Sequence, residues 1–235
     1  MESSCARCLF AAALVFSASC ASNASKDDGS GEKSGEFQIF PPVIYTGADG
    51  VHEYKAPIIA AFPPGKVTWT IADASLASLA PEGANGEELM IKTLKPGTTT
   101  ITAASGGKTQ TATLNIVAYT PQQYDDGLKR YTMSNDPNNP ACKECHAPGK
   151  GPDHTATELD ADPDEEVQHT FLSGVDPENR PIAENSEYAN LLKGKKHMWM
   201  VTETERIGLL AYLRALPPMG FPEFDAPTAD KETSK

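Results

Sequence analysis

Positively charged residues are scarce in this sequence. Its 235 residues include 20 Lys and Arg against 32 Asp and Glu, which gives a formal net charge of −12 at pH 7. A surface of this sign repels the phosphates of nucleic acids and of anionic lipids. We therefore expect a soluble folded part that binds no nucleic acid and whose charged partners are basic.

Long hydrophobic runs are also absent after the first 20 residues, so no later segment is expected to cross a membrane. The apolar run at residues 9–16 follows Arg7 and is too short for a permanent membrane helix, so residues 1–19 are predicted to be a cleavable export signal. The run Ser17-Ala18-Ser19-Cys20 resembles a bacterial lipobox, which implies that Cys20 is lipidated and anchors the chain in a lipid bilayer. The alternative is a soluble exported protein with a free Cys20.

Apolar side chains larger than Ala are missing from residues 21–36. Such a stretch cannot offset its ordering entropy by burial. We predict that residues 20–36 form a flexible tether. The folded part would then lie in a bacterial cell envelope, on the periplasmic face or at the outer membrane and cell surface.

Cysteine is rare, and its positions narrow the choice of chemistry. Three of the five cysteines lie at the N-terminus: Cys5, Cys8 and Cys20. The other two belong to the run Cys142-Lys143-Glu144-Cys145-His146. A zinc site would need more ligands at matching spacing. A thioredoxin-like redox pair would need to follow a strand, whereas residues 134–140 are a turn-rich run of Ser, Asn, Asp and Pro.

The C-x-x-C-H spacing instead predicts covalent attachment of haem c. Two thiols three positions apart on a tight turn, Cys142 and Cys145, can each form a thioether with a haem vinyl group. The next residue, His146, is then placed to bind the iron as its proximal ligand. In bacteria this attachment takes place outside the cytoplasmic membrane. The predicted export signal and the motif therefore support each other, and together they imply contact with haem maturation machinery.

The first half of the folded part has the pattern of a β domain. The run Val-Thr-Trp-Thr-Ile alternates with period two, which places Trp69 on an inward face as a core residue. Two Thr-rich runs, 98–103 and 109–117, flank Ser105-Gly106-Gly107-Lys108, which predicts a hairpin. Several such strands without a helical pattern favour an antiparallel sandwich.

Three runs in this region resemble the bacterial immunoglobulin-like group-2 family: Val67-Thr68-Trp69, residues 72–77 and residues 94–103. They correspond to the buried Trp strand, the following turn and the "pGtatIta" strand of that family. The resemblance implies an Ig-like β-sandwich over residues 37–118. It also implies that this domain serves as a spacer or docking module.

The second half of the chain shows helical periodicity. We predict four helices, over residues 121–133, 162–174, 186–193 and 202–216. In the first, Tyr124, Leu128 and Tyr131 share the inward face. The second begins with Asp162 as a side-chain cap and Pro163 at the first helical position. The last begins with a Thr-x-x-Glu capping box.

The order of motifs in residues 121–217 is similar to that of class I c-type cytochromes. After the C-x-x-C-H motif come a Gly-Pro loop, a middle helix and a last helix that ends in Ala211-Tyr212-Leu213-Arg214-Ala215-Leu216. In that family a Pro carbonyl, here matched by Pro152, orients the proximal imidazole. The predicted fold class is therefore a multidomain protein, in which an Ig-like β-sandwich is followed by an all-α cytochrome c domain. Residues 218–235 are a C-terminal tail.

The distal iron ligand stays open between three residues of the run Lys195-Lys196-His197-Met198-Trp199-Met200-Val201. The family offers a Met shortly before the last helix, and Met198 is our first choice. His197 is the alternative, and Met200 is the third candidate. The choice matters because a thioether raises the reduction potential, whereas a second imidazole lowers it.

Three other side chains have expected roles near the haem. Trp199 is expected to contact it, either by donating its indole N–H to a propionate or by covering the haem edge. His154 and His169 are expected to be exposed, although His154 follows the haem loop and could touch a propionate. The acidic residues 158–166 form a helix start and a solvated face, with a secondary role in steering a basic redox partner.

These observations predict a membrane-anchored monohaem cytochrome that carries single electrons between redox proteins of the envelope. Both axial positions would be filled, so no enzymatic activity is expected. The alternative is an envelope adhesion or scaffold protein whose haem is structural or senses gas or redox state. A third hypothesis is a peroxidase, which needs a vacant iron position. Binding of CO by the iron separates the last two from the first.

Overall fold

The computed structural model describes residues 35–134, 140–146, 151–176, 180–184, 192 and 197–222. Cys20, the predicted export signal and most of the predicted tether and C-terminal tail lie outside these residues. The helix predicted over 186–193 also lies outside them, except for Leu192. Within the described part of the chain, no helix is both long and apolar enough to cross a membrane.

Eight β-strands occupy the first part of the described chain. They are β1 (Gln38–Phe40), β2 (Val43–Ala48), β3 (Lys55–Ala61), β4 (Thr68–Ile71), β5 (Ala77–Glu82), β6 (Glu88–Thr93), β7 (Gly97–Ser105) and β8 (Lys108–Ala118). They form two four-stranded sheets, one in the order β1-β3-β6-β5 and the other in the order β2-β8-β7-β4. Residues from both sheets share one buried hydrophobic core, so the two sheets make a β-sandwich.

Alternation of side chains along the strands fills this core. In β8, Ala112, Leu114 and Ile116 are buried, whereas the residues between them are partly exposed. Trp69 is 8% exposed, and its indole Nε1 donates to the carbonyl oxygen of Gly86 at 2.7 Å. The prediction that Trp69 is a core residue is confirmed.

A two-residue glycine loop joins β7 to β8. Gly106 and Gly107 have φ angles of 54° and 79°, a left-handed backbone that glycine adopts without steric cost. Positive φ at two consecutive residues is typical of the type I′ turn, whose twist matches that of the two strands of a hairpin. The hairpin predicted at this position is confirmed.

One strand pair departs from the predicted antiparallel sandwich. β2 runs parallel to β8, with Val43 opposite Thr113 at its start. Only Pro41 and Pro42 separate β1 from β2, yet the two strands belong to different sheets. Proline cannot donate to a sheet ladder, so this pair interrupts strand pairing at the point where the chain changes sheets.

Four α-helices and two 3₁₀ turns follow within the described residues. They are α1 (Pro121–Thr132), a 3₁₀ turn (Cys142–Glu144), α2 (Ala156–Leu159), α3 (Asp164–Ser173), a 3₁₀ turn (Ile182–Glu184) and α4 (Glu203–Arg214). The capping box predicted for the last helix is confirmed. Thr202 Oγ1 accepts from Glu205 N at 3.2 Å, and Glu205 Oε2 accepts from Thr202 N at 2.8 Å.

The start of α3 differs from the prediction. Pro163 stands at the capping position and makes no side-chain hydrogen bond, so Asp162 does not cap this helix. The helix therefore begins at Asp164, one residue later than Pro163. It ends as predicted, because Gly174 adopts the left-handed φ of 73° that closes a helix.

The helices α1 and α4 cross at a pair of glycines. A Cβ atom on Gly127 would lie 1.9 Å from the carbonyl oxygen of Gly208, and one on Gly208 would lie 2.7 Å from the backbone N of Gly127. Since both neighbours are backbone atoms, neither can rotate away. Gly127 thus takes the inward position that the sequence pattern assigned to Leu128, which is 36% exposed.

The predicted fold class is wrong in its second part. We expected an all-α cytochrome c domain with its own core, but the structure is dominated by two β-sheets, and Ser34–Lys235 is one compact unit. One hydrophobic cluster contains Tyr54 and Tyr119 from the sandwich side together with Tyr131 and Val167 from the helices. The helices are short and supply little apolar surface. They complete their core against the sandwich instead of enclosing one of their own.

Asp160 lies where the helices meet the sandwich. Its side chain is 2% exposed, and its Oδ2 has no hydrogen-bond partner among the described residues. Burial raises the pKa of this carboxyl group well above its usual range, while the nearby Arg214 opposes the shift. The folded state therefore holds the proton more tightly than the unfolded state. The protonated Asp160 carboxyl group therefore contributes stability that is fully present below the unfolded pKa of about 4. This contribution is lost as the pH rises through the folded pKa.

We expect Asp160→Asn to remove this pH dependence. We expect the difference in unfolding free energy, variant minus wild type, to increase by about 1–3 kcal/mol between about pH 5 and about pH 8. This is the cost of burying a carboxyl group that lacks a full set of partners. Urea unfolding followed by circular dichroism at both pH values measures the difference. Glu165→Gln, at an exposed position of α3, is the control. An Asp160→Asn variant that follows the wild type at both pH values would contradict the prediction.

Candidate functional site

The C-x-x-C-H motif forms a tight turn. Its first three residues are the 3₁₀ turn Cys142–Glu144, and the backbone N–H groups of Cys145 and His146 both donate to the carbonyl oxygen of Cys142, at 3.1 and 3.0 Å. Both thiols are free and partly buried. Burial raises the pKa of the Cys142 thiol to about 11, so this thiol stays protonated at neutral pH. The turn presents two thiols and one imidazole within five residues.

The imidazole of His146 is held in one orientation. Its Nδ1 lies 3.0 Å from the carbonyl oxygen of Pro152. A carbonyl oxygen can only accept, so Nδ1 carries the proton and Nε2 keeps a lone pair free for a metal. Burial lowers the pKa of His146, although the hydrogen bond to Pro152 opposes this shift. The contact is the one that the cytochrome resemblance implied for Pro152.

Three histidines and a tryptophan meet beside this turn. The ring of His154 stacks on that of His146, with ring centroids 3.4 Å apart and planes inclined by 21°. The ring of His197 lies edge-on to His146 at 6.0 Å. Trp199 lies 4.5 Å from His197 in the same type of contact. The three imidazoles therefore converge from separate parts of the chain.

The electrostatic setting keeps these imidazoles neutral. Burial lowers the pKa of His197 to about 4 and that of His154 well below its usual range, and positive charge on neighbouring imidazoles would add to the effect. The Nδ1 atoms of His154 and His197 are buried and have no hydrogen-bond partner among the described residues. Neutral imidazole is the form that binds iron, copper, zinc and similar metals.

The same side chains line a cleft between the turn and the helices. An inner cavity of about 150 Å³ adjoins an outer one of about 490 Å³, and both touch His146, His154, His197 and Trp199. The inner cavity is further lined by apolar side chains: Leu159, Val167, Phe171, Leu209 and Leu213. The outer volume lies within the range of roughly 300–1,000 Å³ that is typical of cofactor sites. Its walls combine three imidazoles and four carboxyl groups with a largely apolar surface.

Trp199 closes one side of the cleft. It is 7% exposed, and its indole Nε1 donates to the carbonyl oxygen of Pro140 at 2.9 Å. The sequence left two roles open for this residue. Because its only side-chain N–H already donates to the Pro140 carbonyl oxygen, the arrangement supports the covering role rather than donation to a propionate.

The three candidates for the distal ligand are placed differently. His197 lines both parts of the cleft, whereas Met198 is 50% exposed and Met200 is 85% exposed. His197 and Trp199 line the cleft, while Met198, the first choice from sequence, is not among its lining side chains.

His154 is the residue that sequence reasoning missed. Exposure was expected for it, with contact to a propionate as the alternative, whereas its ring lies in the cleft against His146. The available signal was its position in the sequence. His154 lies two residues after Pro152, which was expected to contact His146, so a place beside His146 could have been predicted. His169, for which exposure was also expected, is exposed on α3.

A bare metal ion has no preformed cage in this part of the molecule. Among the described residues, no group of three or more His, Cys, Asp or Glu side chains has the geometry to hold one. The donors that converge are two thiols on a turn and three imidazoles around an apolar cleft. This donor set fits a flat apolar cofactor that brings its own metal and carries groups that thiols can bond.

No protein-family model matches this chain, and no curated protein does either. Solved structures with similar parts include domains 4 and 5 of the S-layer protein SbsC, which are 19% identical, cover 36% of this chain and have a TM-score of 0.28. The chain spans about half of that fragment, 52% of its length. The Ig7 domain of Dscam1 is 11% identical, with 34% of this chain and 96% of that domain covered at a TM-score of 0.26. We draw no functional conclusion from similarities of this size.

Proposed function

We propose that this protein carries single electrons on one covalently attached haem c. The observation that carries the proposal is the contact between His146 Nδ1 and the Pro152 carbonyl, 3.0 Å long, within a C-x-x-C-H turn. It leaves Nε2 of a neutral imidazole free beside two thiols. A turn that served only as a redox disulfide would need neither the histidine nor its fixed orientation.

The residues of the cleft would each have a defined task. Cys142 and Cys145 would hold the haem covalently, and His146 would bind its iron. When bound, haem supplies reversible exchange of one electron between Fe(III) and Fe(II). Apolar side chains from the helices exclude water from the group, while Trp199 covers one side of the cleft.

We propose His197 as the distal ligand in place of Met198. His197 lines both parts of the cleft, whereas Met198 is half exposed. Two imidazole ligands lower the reduction potential relative to an imidazole and a thioether. The protein would therefore belong to the lower-potential carriers.

We propose that the protein functions in the bacterial cell envelope. The predicted export signal, the lipobox-like run ending at Cys20 and the polar tether support a lipid-anchored protein outside the cytoplasm. A surface-layer protein is among the similar structures, but at a TM-score of 0.30 that likeness adds no argument. The partners would be redox proteins with basic surfaces, since this chain carries a net charge of −12.

Absorption spectra of the haem-loaded protein in both oxidation states, with and without CO, test the proposal. We expect a six-coordinate wild type that does not bind CO and shows no near-infrared sulfur-to-iron band. His197→Ala should open the iron to CO. Met198→Ala, a change at the adjacent, half-exposed residue, is the matched control and should leave the spectrum unchanged.

Two results would contradict parts of this proposal. A near-infrared band that vanishes in Met198→Ala would assign the distal position to the thioether and a higher potential to the carrier. A wild type that already binds CO would contradict the carrier function, and a structural or sensing haem on an envelope scaffold, or peroxidase chemistry, would take its place.

A further inference from the structure

One wall of the cleft is formed by residues 159–164, here called the wall segment. It connects α2 to α3 and contributes the side chains of Leu159 and Asp162 to the lining. Leu159 is the last residue of α2 and Asp164 is the first residue of α3. Besides the bond from Asp162 N to the Leu159 carbonyl oxygen within the segment, several hydrogen bonds join it to other parts of the chain.

Arg214, near the end of α4, makes several of these bonds. It is 2% exposed, and its guanidinium donates to Asp164 Oδ1 from Nε at 3.0 Å and from Nη2 at 2.9 Å. It also donates to the carbonyl oxygen of Asp162 at 2.5 Å and to that of Leu159. One planar group thereby holds both residues of the segment that line the cleft, and a buried charge of this kind cannot leave its partners without a large penalty.

The β-sandwich holds the same segment from the other side. The backbone N of Tyr45, in β2, donates to the carbonyl oxygen of Asp160 at 2.7 Å. Tyr119, which follows β8, donates its hydroxyl to Asp164 Oδ2 at 2.5 Å. Burial and the negative charge of Asp164 raise the pKa of Tyr119, so its hydroxyl remains a proton donor throughout the accessible pH range. Asp164 therefore joins a sandwich residue and an α4 residue through its two oxygens.

We propose that Tyr119 and Arg214 are positioning residues for the haem pocket, and that the β-sandwich is a structural part of that pocket. By fixing Asp164 they hold the wall segment, and with it Leu159, against the bound group. This inference rests on the proposed haem site. It replaces the expectation that the sandwich is only a spacer or docking module.

The reduction potential is the property through which this role can be seen. A haem that is more open to water has its Fe(III) state stabilised, because the oxidised centre carries the greater positive charge. Loosening the wall segment should therefore lower the potential and let small donors reach the haem faster. Loss of overall stability alone would not move either quantity in the folded, loaded protein.

The test compares Tyr119→Phe with Tyr54→Phe in the full-length, haem-loaded protein. Tyr54 lies next to Tyr119, with ring centroids 6.3 Å apart, and its buried hydroxyl lies near Asp49 instead of Asp164. We expect a lower reduction potential and a several-fold faster reduction by a small soluble donor in Tyr119→Phe. Tyr54→Phe should match the wild type in both.

The outcomes separate this inference from the proposed function. A wild type without covalent haem would end both. A loaded wild type in which the two Phe variants have equal potentials and reduction rates would overturn the positioning role and leave the carrier function in place. If Tyr119→Phe does not fold, Asp164→Asn decides by the same two readouts, since it keeps one acceptor oxygen for Arg214 and removes the acceptor that Tyr119 uses.

Discussion

Gly127→Ala should destabilise the protein by about 3 kcal/mol, the upper end of the usual cost of overpacking. The added methyl group would lie 1.9 Å from the carbonyl oxygen of Gly208 and 2.4 Å from its carbonyl carbon. Neither atom belongs to a side chain that could turn aside, so α1 and α4 must move apart along the crossing. This loss outweighs the gain of about 1 kcal/mol that alanine brings to a helix interior relative to glycine.

Urea unfolding monitored by circular dichroism measures this effect. Gly65→Ala is the matched control, because a Cβ atom there would meet only Ser105 Oγ, at 3.9 Å. Its unfolding free energy should stay within about 0.5 kcal/mol of the wild type, as for ordinary surface substitutions. Gly208→Ala should resemble Gly127→Ala, and the double variant should cost less than the sum, since both changes act on one contact. A Gly127→Ala protein with an unchanged midpoint would show that the helices do not cross as closely as described.

The double variant Cys142→Ser/Cys145→Ser should lose all covalently bound haem. Serine oxygen does not form the thioether that holds the group through denaturation, and the turn offers no other thiol. Haem staining of the exported protein after denaturing electrophoresis measures the loss. Each single variant keeps one thiol and should retain a weaker band.

Cys20→Ser is the matched control for this experiment. It makes the same chemical change at a cysteine outside the motif, so it should leave haem staining intact while removing the predicted lipid. Covalent haem in the double variant would contradict the attachment site. Loss of staining in Cys20→Ser would mean that the anchor, rather than the motif alone, governs maturation.

The features that the sequence predicted well depend on neighbours along the chain. The Gly106–Gly107 hairpin needs only two adjacent residues that accept a left-handed backbone. The capping box of α4 needs only Thr202 and Glu205, three positions apart. The tight turn at the C-x-x-C-H motif is equally local, because its hydrogen bonds join only residues 142–146.

The features that were missed depend on residues far apart in the chain. The crossing of α1 and α4 brings Gly127 against Gly208. Helical periodicity instead assigned the inward position to Leu128, because it considers apolar side chains and not the distance between two backbones. The bond from Tyr119 to Asp164 spans 45 positions. Pattern reasoning that treated residues 37–118 and 121–217 as separate domains could not see that the second completes its core on the first.

The choice of distal ligand shows the same limit on a smaller scale. His197 and Met198 are adjacent, and either could bind iron. Which one lines the cleft is set by the way in which residues 197–200 enter the fold. The hydrogen bond from Trp199 N to the Phe171 carbonyl, 2.9 Å long, joins these residues to α3. No property of the four residues 197–200 contains this information.

The parallel pairing of β2 with β8 gives the molecule a mechanical property. The chain enters β2 at Val43 and leaves β8 at Ala118, and in a parallel pair these two points lie at opposite ends of the ladder. A pull between the part before β2 and the helices after β8 would act along both strands. Their hydrogen bonds would then bear the load together instead of breaking one after another. If the N-terminal part were held while a partner pulled on the helices, the β2–β8 hydrogen bonds would resist the force in shear. The helices would then keep their place against the sandwich.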